Sequence, residues 1–402
     1  MRTLILAFGL LAALAAYPQQ DPDPNQRTLA IIQAKLKERP NDATLYFYLA
    51  RVQAALGDAK ASTAALEKAG ELGDGFLPAK ELGFEKVWDD AGFQEVRARL
   101  EKKLPRLDYA PTAIELEDNG LLPEGMAYDA PSDSFFVGSI AKHKIVRISP
   151  GNVVTDFATG ANLDSVLGVA VDAPRRALYA VSTSALTAEG RKDRRNAIVE
   201  FETDSRKLKR RVEVPGAIGL NDVAIAPGGR VFTTDSGSGA VYEITADNSV
   251  RTLAEPRALP GANGLAASPD AKHLYVAHNT GIAVIDLEGG AIRQLANDTR
   301  ENVSAIDGLY QWHGQLIGVQ NLTNPGRVVL ITLSPAGDRI TRVQTMLSHH
   351  HNRLDEPTAG APTDHGFFLL AATGVAHYTD EGKIDAPDKV PKPAIVRILL
   401  GP

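Results

Sequence analysis

The sequence contains no cysteine, few aromatic residues and no excess of basic charge. Without cysteine, the chain can form no disulfide, no thiolate metal site and no cysteine nucleophile. Aromatic residues make up only 6% of the 402 residues, so large stacking platforms are not expected. The formal net charge of −6 and the lack of a basic stripe argue against a nucleic-acid partner. A hydrophobic content of 44% is nevertheless enough for a large core, and the length allows two domains.

Long apolar runs are also missing, except at the start of the chain. Arg2 precedes a run of 13 apolar and small residues that ends at Ala16, and this pattern predicts a signal peptide over residues 1–16. The run is shorter than the roughly 20 residues of a membrane span, and an uncleaved anchor is the alternative. Residues 17–25 are rich in Pro and Gln and are expected to form a tether. We therefore expect a periplasmic or secreted protein with no membrane span in the mature chain.

Residues 26–103 have helical periodicity. An amphipathic helix ends at Pro40, and two further helices are separated by the turn at Gly57 and Asp58. Helix pairs of this kind, with small residues where they cross, resemble a tetratricopeptide repeat, which predicts a small α-helical domain able to bind a protein partner. The alternative is a helical cap packed on the following domain. Residues 104–115 are expected to be a linker.

From residue 116 to residue 402 one motif recurs among short strands rich in Val, Ile, Tyr and Phe. The motif begins with a polar residue, continues with Gly or another small residue, and ends with an apolar residue. Ala usually follows, and a turn and an apolar strand come next. The copies begin 42 to 54 residues apart, at Glu124, Leu167, Asn221, Asn263, Asp307 and, more weakly, Ala359. Strand repeats at this spacing are typical of β-propellers. The predicted fold is mainly β, a six-bladed β-propeller preceded by the small α-helical, tetratricopeptide-like domain.

The first position of each copy carries the functional argument. Innermost strands of all blades begin near one end of the central channel, so residues at this position converge there. Four of these residues are oxygen donors: Glu124, Asn221, Asn263 and Asp307. Oxygen ligands of this kind are what Ca²⁺ binds, which predicts one divalent ion, calcium or another divalent cation. The alternative is a ring of polar side chains hydrogen-bonded around a water-filled channel, and Asn221 could instead bond to backbone in an Asx turn.

These motifs resemble the SMP-30/gluconolactonase/LRE family of calcium propellers over about residues 110–400. The matching segments are Pro123-Glu124-Gly125, Asn221-Asp222-Val223, Asn263-Gly264-Leu265 and Asp307-Gly308-Leu309. The resemblance implies that Glu124, Asn263 and Asp307 bind the metal. It also implies that Asn221 faces metal and substrate, and that Asp307 serves as the catalytic base.

Some positions depart from the pattern of the sugar-lactone members. Gly219 stands where those members have an Arg, and Gly239 stands near an acidic sugar contact. The segment at Asn221 continues with Asp-Val in place of Asp-Gly. The metal ligands are kept but the sugar contacts are not, so aldonolactones are not the expected substrates.

Several other polar residues are candidates for the site. Strand alternation predicts that Asp222 caps a turn, and Asp235 is a further candidate for the channel. His278 and His365 are candidate acid–base groups. The run His349–His351 suggests zinc, but three consecutive residues cannot all face one ion on a strand, so a solvated loop is expected.

The expected function is that of a metal-dependent hydrolase of the lactonase or esterase type. Calcium would polarise the carbonyl of a small lactone or ester at the channel mouth, while Asp307 takes a proton from water. The alternative is a non-catalytic secreted binding module, in which the calcium is structural and the helical domain binds a protein.

Overall fold

The computed structural model describes residues 23–160 and 162–401. The predicted signal peptide and most of the predicted tether lie outside these residues, and both stay predictions. Within the described part of the chain, no helix is both long and apolar enough to cross a membrane.

Four helices form the first part of the described chain. They are α1 (Pro24–Glu38), α2 (Ala43–Leu56), α3 (Ala59–Leu72) and α4 (Ala91–Lys103). An Asp side chain caps the first turn of each helix by accepting a backbone N–H, and such caps fix where a helix begins. Gly57 ends α2 in the left-handed conformation, with φ of 86°.

The helical segment has a hydrophobic core of its own. Phe47, Phe84 and Phe93 are fully buried, and the rings of Phe47 and Phe76 stack with centroids 5.4 Å apart. The residues of this core all come from the helices and the segment between α3 and α4. The helical segment predicted from periodicity is present, and its tetratricopeptide-like character stays a prediction.

The remainder of the chain forms six sheets, each a blade of a β-propeller. Strand β1 (Thr112–Glu115) comes first in the chain. Blade 1 contains β2 (Pro123–Asp129), β3 (Ser134–Ser139), β4 (Lys144–Ser149) and β5 (Val153–Ala158). Blade 2 contains β6 (Ser165–Asp172), β7 (Ala177–Thr183), β8 (Asn196–Glu202) and β9 (Leu208–Glu213), with the short helix α5 (Ala188–Lys192) between β7 and β8. Blade 3 contains β10 (Leu220–Ile225), β11 (Val231–Asp235), β12 (Ala240–Ile244) and β13 (Val250–Ala254).

The last three blades consist mainly of antiparallel strands, with one short parallel strand at the outer edge of blade 5. Blade 4 contains β14 (Leu265–Ala267), β15 (His273–His278), β16 (Gly281–Asp286) and β17 (Ile292–Gln294). Blade 5 contains β18 (Ala296–Asn297), β19 (Ile306–Trp312), β20 (Gln315–Gln320), β21 (Arg327–Leu333) and β22 (Arg339–Leu347). Blade 6 contains β23 (Gly360–Thr363), β24 (Gly366–Ala372) and β25 (Ala394–Ile398). The predicted six-bladed propeller is confirmed.

The ring is closed by pairing the two ends of the propeller. Strand β1 lies beside β25 and is the outer strand of blade 6. It falls at the end of the stretch 104–115 that the sequence predicts to be a linker. Because β1 pairs with a strand about 280 residues away, it fastens blade 6 to the start of blade 1.

The helices pack on the face of the propeller at which the inner strands begin. Leu77 N–H donates to Thr323 O at 3.0 Å, Asn324 donates to Gly75 O at 3.3 Å, and Tyr48 donates to Asn279 O at 2.9 Å. Thr323 and Asn324 follow β20, whose last residue pairs with the first residue of β19. The contacts match the alternative of a helical cap packed on the propeller.

A long connection covers another part of the same face. It runs from residue 373 to residue 393, between β24 and β25, and is called the roof loop here. Its Tyr378 and Val390 are buried in one apolar cluster with Leu122, Leu167 and Leu220, which lie at the inner-strand starts of blades 1 to 3. The roof loop therefore covers the channel mouth on the side of these three blades.

Candidate metal and active site

The four oxygen donors predicted from the repeat line a single cavity. Glu124, Asn221, Asn263 and Asp307 come from blades 1, 3, 4 and 5, and they surround a narrow space at the start of the inner strands, about large enough for one ion or water molecule. The structure thus brings together all four residues predicted to bind the metal, including the predicted base Asp307 and the predicted substrate contact Asn221. Their roles stay predictions.

A β-bulge places these side chains. In blades 1, 2, 3 and 5 two residues of the inner strand lie opposite one residue of the next strand. The paired residues are Glu124-Gly125, Leu167-Gly168, Asn221-Asp222 and Asp307-Gly308. A bulge bends the strand and changes the direction of its side chains. The repeated motif is therefore the sequence signature of a bulge at the channel mouth.

The glycines of the motif allow neighbouring bulges to touch. A Cβ on Gly125 would lie 2.1 Å from Leu167 O, and a Cβ on Gly264 would lie 2.4 Å from Asp307 O. These distances are far below a van der Waals contact, and the obstacles are backbone atoms that cannot rotate away. The glycines are needed because each bulge packs against the backbone of the next blade.

Asp222 also lines the cavity, in contrast to the prediction that it only caps a turn. Its Oδ1 does accept the N–H of Val223 at 2.8 Å. Strand alternation predicted that neighbours point to opposite sides, but the bulge breaks that alternation. The site therefore contains three carboxylates.

All three carboxylates have a raised proton affinity, and burial is its main cause. Burial, together with the charges of Asp307 and Asp222, raises the pKa of Glu124 well above its usual value. Burial also raises the pKa of Asp222 to about 7, and that of Asp307 to about 6. No Lys or Arg is among the described residues that line the cavity. Within this lining, the three carboxylates therefore have no basic side chain to offset their charge.

Asp307 is fixed by hydrogen bonds to both of its oxygens. Asn263 Nδ2 donates to Oδ1 at 2.7 Å, and Asn321 Nδ2 donates to Oδ2 at 2.6 Å. Asn321 is buried and also donates to Pro357 O at 3.0 Å. Sequence reasoning missed Asn321, although its place directly after β20 puts it at the same end of blade 5 as the bulge.

Tyr310 is a second residue that sequence reasoning missed. It lines the cavity, and its hydroxyl oxygen accepts the N–H of Gly360 at 2.8 Å. Burial, with the charge of Asp222, raises its pKa, so the phenol keeps its proton. That proton is not used in the bond to Gly360, so the hydroxyl can act as a donor towards the cavity. An aromatic residue directly after the motif Asp307-Gly308-Leu309 gives no signal that separates it from the residues of the core.

The donor set fits a hard divalent cation. Three carboxylates and two amides supply five oxygen-bearing side chains, and Ca²⁺ takes about 6–8 oxygen ligands. A doubly charged ion would offset the repulsion that raises the carboxylate pKa values. Water and substrate oxygens would complete such a shell.

The remaining candidates do not line this cavity. Asp235 is buried at the end of β11, where it accepts the N–H groups of Ile218 and Gly219 and holds a turn. His278 faces Gln294 at 2.9 Å, and burial lowers its pKa to about 4. His365 is exposed in the turn between β23 and β24. None of the three contributes to the cavity as it stands.

Comparison with known families agrees with this geometry. The model of the SMP-30/Gluconolactonase/LRE-like region matches residues 122–345, which include all four predicted ligands. The chain belongs to this family. It is thus a propeller of the lactonase type. Among curated proteins, no significant relative matches the chain.

Two solved structures illustrate the fold. A luciferin-regenerating enzyme is 16% identical with a TM-score of 0.51, and the match covers 72% of this chain and 96% of that one. A gluconolactonase from Xanthomonas campestris is 16% identical with a TM-score of 0.49, covering 73% of this chain and 91% of that one. At this level of identity the likeness to the luciferin-regenerating enzyme shows the fold alone.

Proposed function

We propose that the protein is a calcium-dependent hydrolase that acts on a small lactone or ester at the channel mouth. The observation that carries the proposal is the cavity in which four blades supply three carboxylates and two amides with no basic residue. Membership in a family whose members typically depend on a metal supports the same choice.

Glu124, Asn263 and Asp307 would hold the ion, with Asn221 and Asp222 beside it. When bound, the ion would act as a Lewis acid on the substrate carbonyl. The five side chains lie on four separate blades of a closed ring, so the donors are arranged before any ligand arrives. Such preorganisation favours stabilisation of the charge that develops in the transition state.

Asp307 is the proposed general base. Its two hydrogen bonds fix the plane of the carboxylate, and they use one lone pair on each oxygen. Burial raises its pKa to about 6 without an ion, whereas a bound cation would lower it, so the ion would also have to activate the attacking water. Tyr310 is available to donate its proton to an oxygen of the substrate or of the product.

The surroundings of the cavity favour a substrate that is less polar than a sugar lactone. Gly219 supplies no cation, as the sequence already indicated. The roof loop adds Tyr378 and Val390 to an apolar cluster with Leu122 and Leu220 beside the mouth. Met126, Val169 and Ala359 add apolar groups to the lining of the cavity itself, which suits an aliphatic or aromatic lactone or ester.

The decisive experiment combines a substrate screen with the variant Asp307→Asn. Lactones and aryl esters are assayed with calcium and with a chelator, and calcium binding is measured by calorimetry. The variant keeps an oxygen ligand but loses the base, so calcium binding should survive while the rate falls by at least about 100-fold. Asp247→Asn, on an exposed turn, is the matched control. If the wild-type protein with saturating calcium turns over none of these compounds, the hydrolase proposal fails and the non-catalytic binding module replaces it.

A further inference from the structure

The histidine run lies at the joint between the helices and the propeller. It follows β22, in the connection between blades 5 and 6. His351 is buried and donates from Nε2 to Ala110 O at 2.8 Å, while His349 lies beside Glu101 of α4. The expectation of a solvated loop is therefore wrong, because α4 covers this connection.

We propose that Glu101, His349 and His350 form a second metal site, for a transition-metal ion such as Zn²⁺, which joins α4 to the propeller. One potential ligand atom from each of the three side chains lies within 4.8 Å of the other two. His349 Nε2 and Glu101 Oε1 are 3.2 Å apart. Two ligands at about 2.0–2.1 Å from a tetrahedral ion lie about 3.3 Å apart, so this pair already has the required spacing.

The hydrogen bonding of His349 leaves room for a cation. Its Nδ1 is buried and has no hydrogen-bond partner among the described residues. If the neutral ring carries its proton on Nε2, the buried Nδ1 lone pair has no donor. If the proton is on Nδ1, the Nε2 lone pair faces a carboxylate oxygen. A metal ion would use a lone pair that is unsatisfied in either tautomer.

The other two ligands are oriented by neighbouring groups. Ser348 Oγ and His350 Nδ1 are 3.0 Å apart, which leaves Nε2 of His350 for an ion. Arg97 donates to Oε2 of Glu101 at 3.0 Å, which leaves Oε1 towards His349. Metal-bound His and carboxylate groups are usually held by such partners.

The ligand types distinguish this site from the channel cavity. Two imidazoles and one carboxylate favour Zn²⁺ and related borderline ions, whereas the oxygen donors of the channel favour Ca²⁺. None of the three residues lines the channel cavity. Zinc should therefore stabilise the attachment of α4 to the propeller, because Glu101 and His349 are 248 residues apart in the chain. It should leave the chemistry of the channel unchanged.

The experiment uses the full protein, stripped with a chelator and returned to buffer with excess Ca²⁺. Zn²⁺ binding is measured by calorimetry, and Co²⁺ binding by its visible absorption. We expect one ion per chain, a cobalt spectrum typical of nitrogen ligation, and a Tm that rises with zinc concentration. His349→Gln and His350→Gln should each weaken zinc binding at least about ten-fold, and Ser348→Ala should weaken it through the orientation of His350.

His365→Gln is the control, because this exposed histidine lies in the turn between β23 and β24 and is not one of the proposed ligands. It should bind zinc as the wild type does. Circular dichroism of the metal-free variants shows whether each one is folded, and the cobalt spectrum of the wild type tests the ligand type without any variant. The proposal is overturned if the wild type binds no zinc, if the cobalt spectrum indicates oxygen ligands only, or if a folded double variant of His349 and His350 binds zinc unchanged.

Discussion

At the scale of single residues, Asn321 and Asp307 show how the site is held. Asn321 donates to one oxygen of Asp307 and to the carbonyl of Pro357, so it joins the bulge of blade 5 to the start of blade 6. A donor to a carboxylate stabilises its ionised form and lowers its pKa. The amide therefore sets both the orientation and the proton affinity of the proposed base.

Replacing Asn321 by Ala should reduce kcat about ten-fold to 100-fold, with a smaller effect on KM. Because the lost hydrogen bond had lowered the pKa of Asp307, that pKa should rise. The acid limb of the pH–rate profile should then move to higher pH. A merely structural defect would reduce the rate without moving this limb. Asn162→Ala, at an exposed position, should leave both the rate and the profile unchanged.

Glu356 gives a prediction for stability. Burial, with the charge of Asp355, raises its pKa to about 7, above the value of about 4.3 expected in the unfolded chain. The folded protein therefore binds this proton more tightly than the unfolded chain does. The stability that this proton provides is lost as pH rises from about 4 to 7. Glu356→Gln cannot ionise, and its neutral amide can still accept the N–H of Ala376.

The free energy of unfolding of Glu356→Gln should match that of the wild type near pH 4 and exceed it by roughly 1–3 kcal/mol at pH 8. Denaturant unfolding of the calcium-free protein at several pH values measures the difference. Glu288→Gln, on an exposed turn, should show no comparable trend. A difference that stays constant with pH would contradict the assignment.

The sequence predicts some of these residues and not others for a physical reason. Glu124, Asn221, Asn263 and Asp307 occupy one repeat position, and symmetry of the ring brings that position to one place. Asp222 was misjudged because strand alternation does not hold across a bulge. Asn321 carries no motif, and only the pairing of β20 with β19 places it beside Asp307.

At the scale of elements, the bulge explains why the motif contains glycine. In blade 4, Asn263 N–H donates to Ala277 O, and Ala277 N–H donates to Gly264 O. These two hydrogen bonds place Asn263 and Gly264 opposite a single residue of the next strand, Ala277, as the bulges do in blades 1, 2, 3 and 5. Gly264 then lies against β19, with no space for a side chain.

Gly264→Ala should separate Asn263 from Asp307, because its Cβ would lie 2.4 Å from both Asp307 O and Leu309 N. We expect a loss of roughly 1–3 kcal/mol of stability and at least a ten-fold weaker affinity for calcium. Thermal unfolding and calorimetry measure the two effects. In the control Gly289→Ala, the new Cβ meets only the mobile end of the Asp286 side chain. Equal effects in both variants would disprove the role given to the bulge.

Elements with a local pattern were predicted, and those defined by distant partners were not. The inner strands and the helices show periodicity within a few residues. Strand β1 has only four residues, and its pairing with β25 leaves no local signal. The roof loop lacks a periodic pattern, since its Tyr378 and Val390 are buried by contacts to blades 1 to 3.

At the scale of the whole molecule, the helical segment has a hydrophobic core of its own, and polar contacts join it to the propeller. The core of the helical segment contains no propeller residue, and the channel cavity contains no helical residue. Between them lies Arg327, whose side chain is 2% exposed and donates to Glu301, Asn302 O and Gln320. A Cβ on Gly75 would contact this guanidinium, so the backbone just after α3 covers it.

Removal of the helical segment should therefore leave a folded propeller. A chain that begins at residue 106 keeps β1, the bond of Leu107 to Ser348 and the bond of His351 to Ala110. It should retain its β circular dichroism and bind calcium with unchanged affinity, because every residue of the cavity remains. Its Tm should fall by several degrees, since Arg327 becomes exposed and the contacts made by Gly75 and Leu77 are lost. An insoluble product, or loss of calcium binding by a soluble one, would show instead that the helices are an integral part of the site. The outcome decides whether the helical segment is an attached domain or a component on which the geometry of the channel mouth depends.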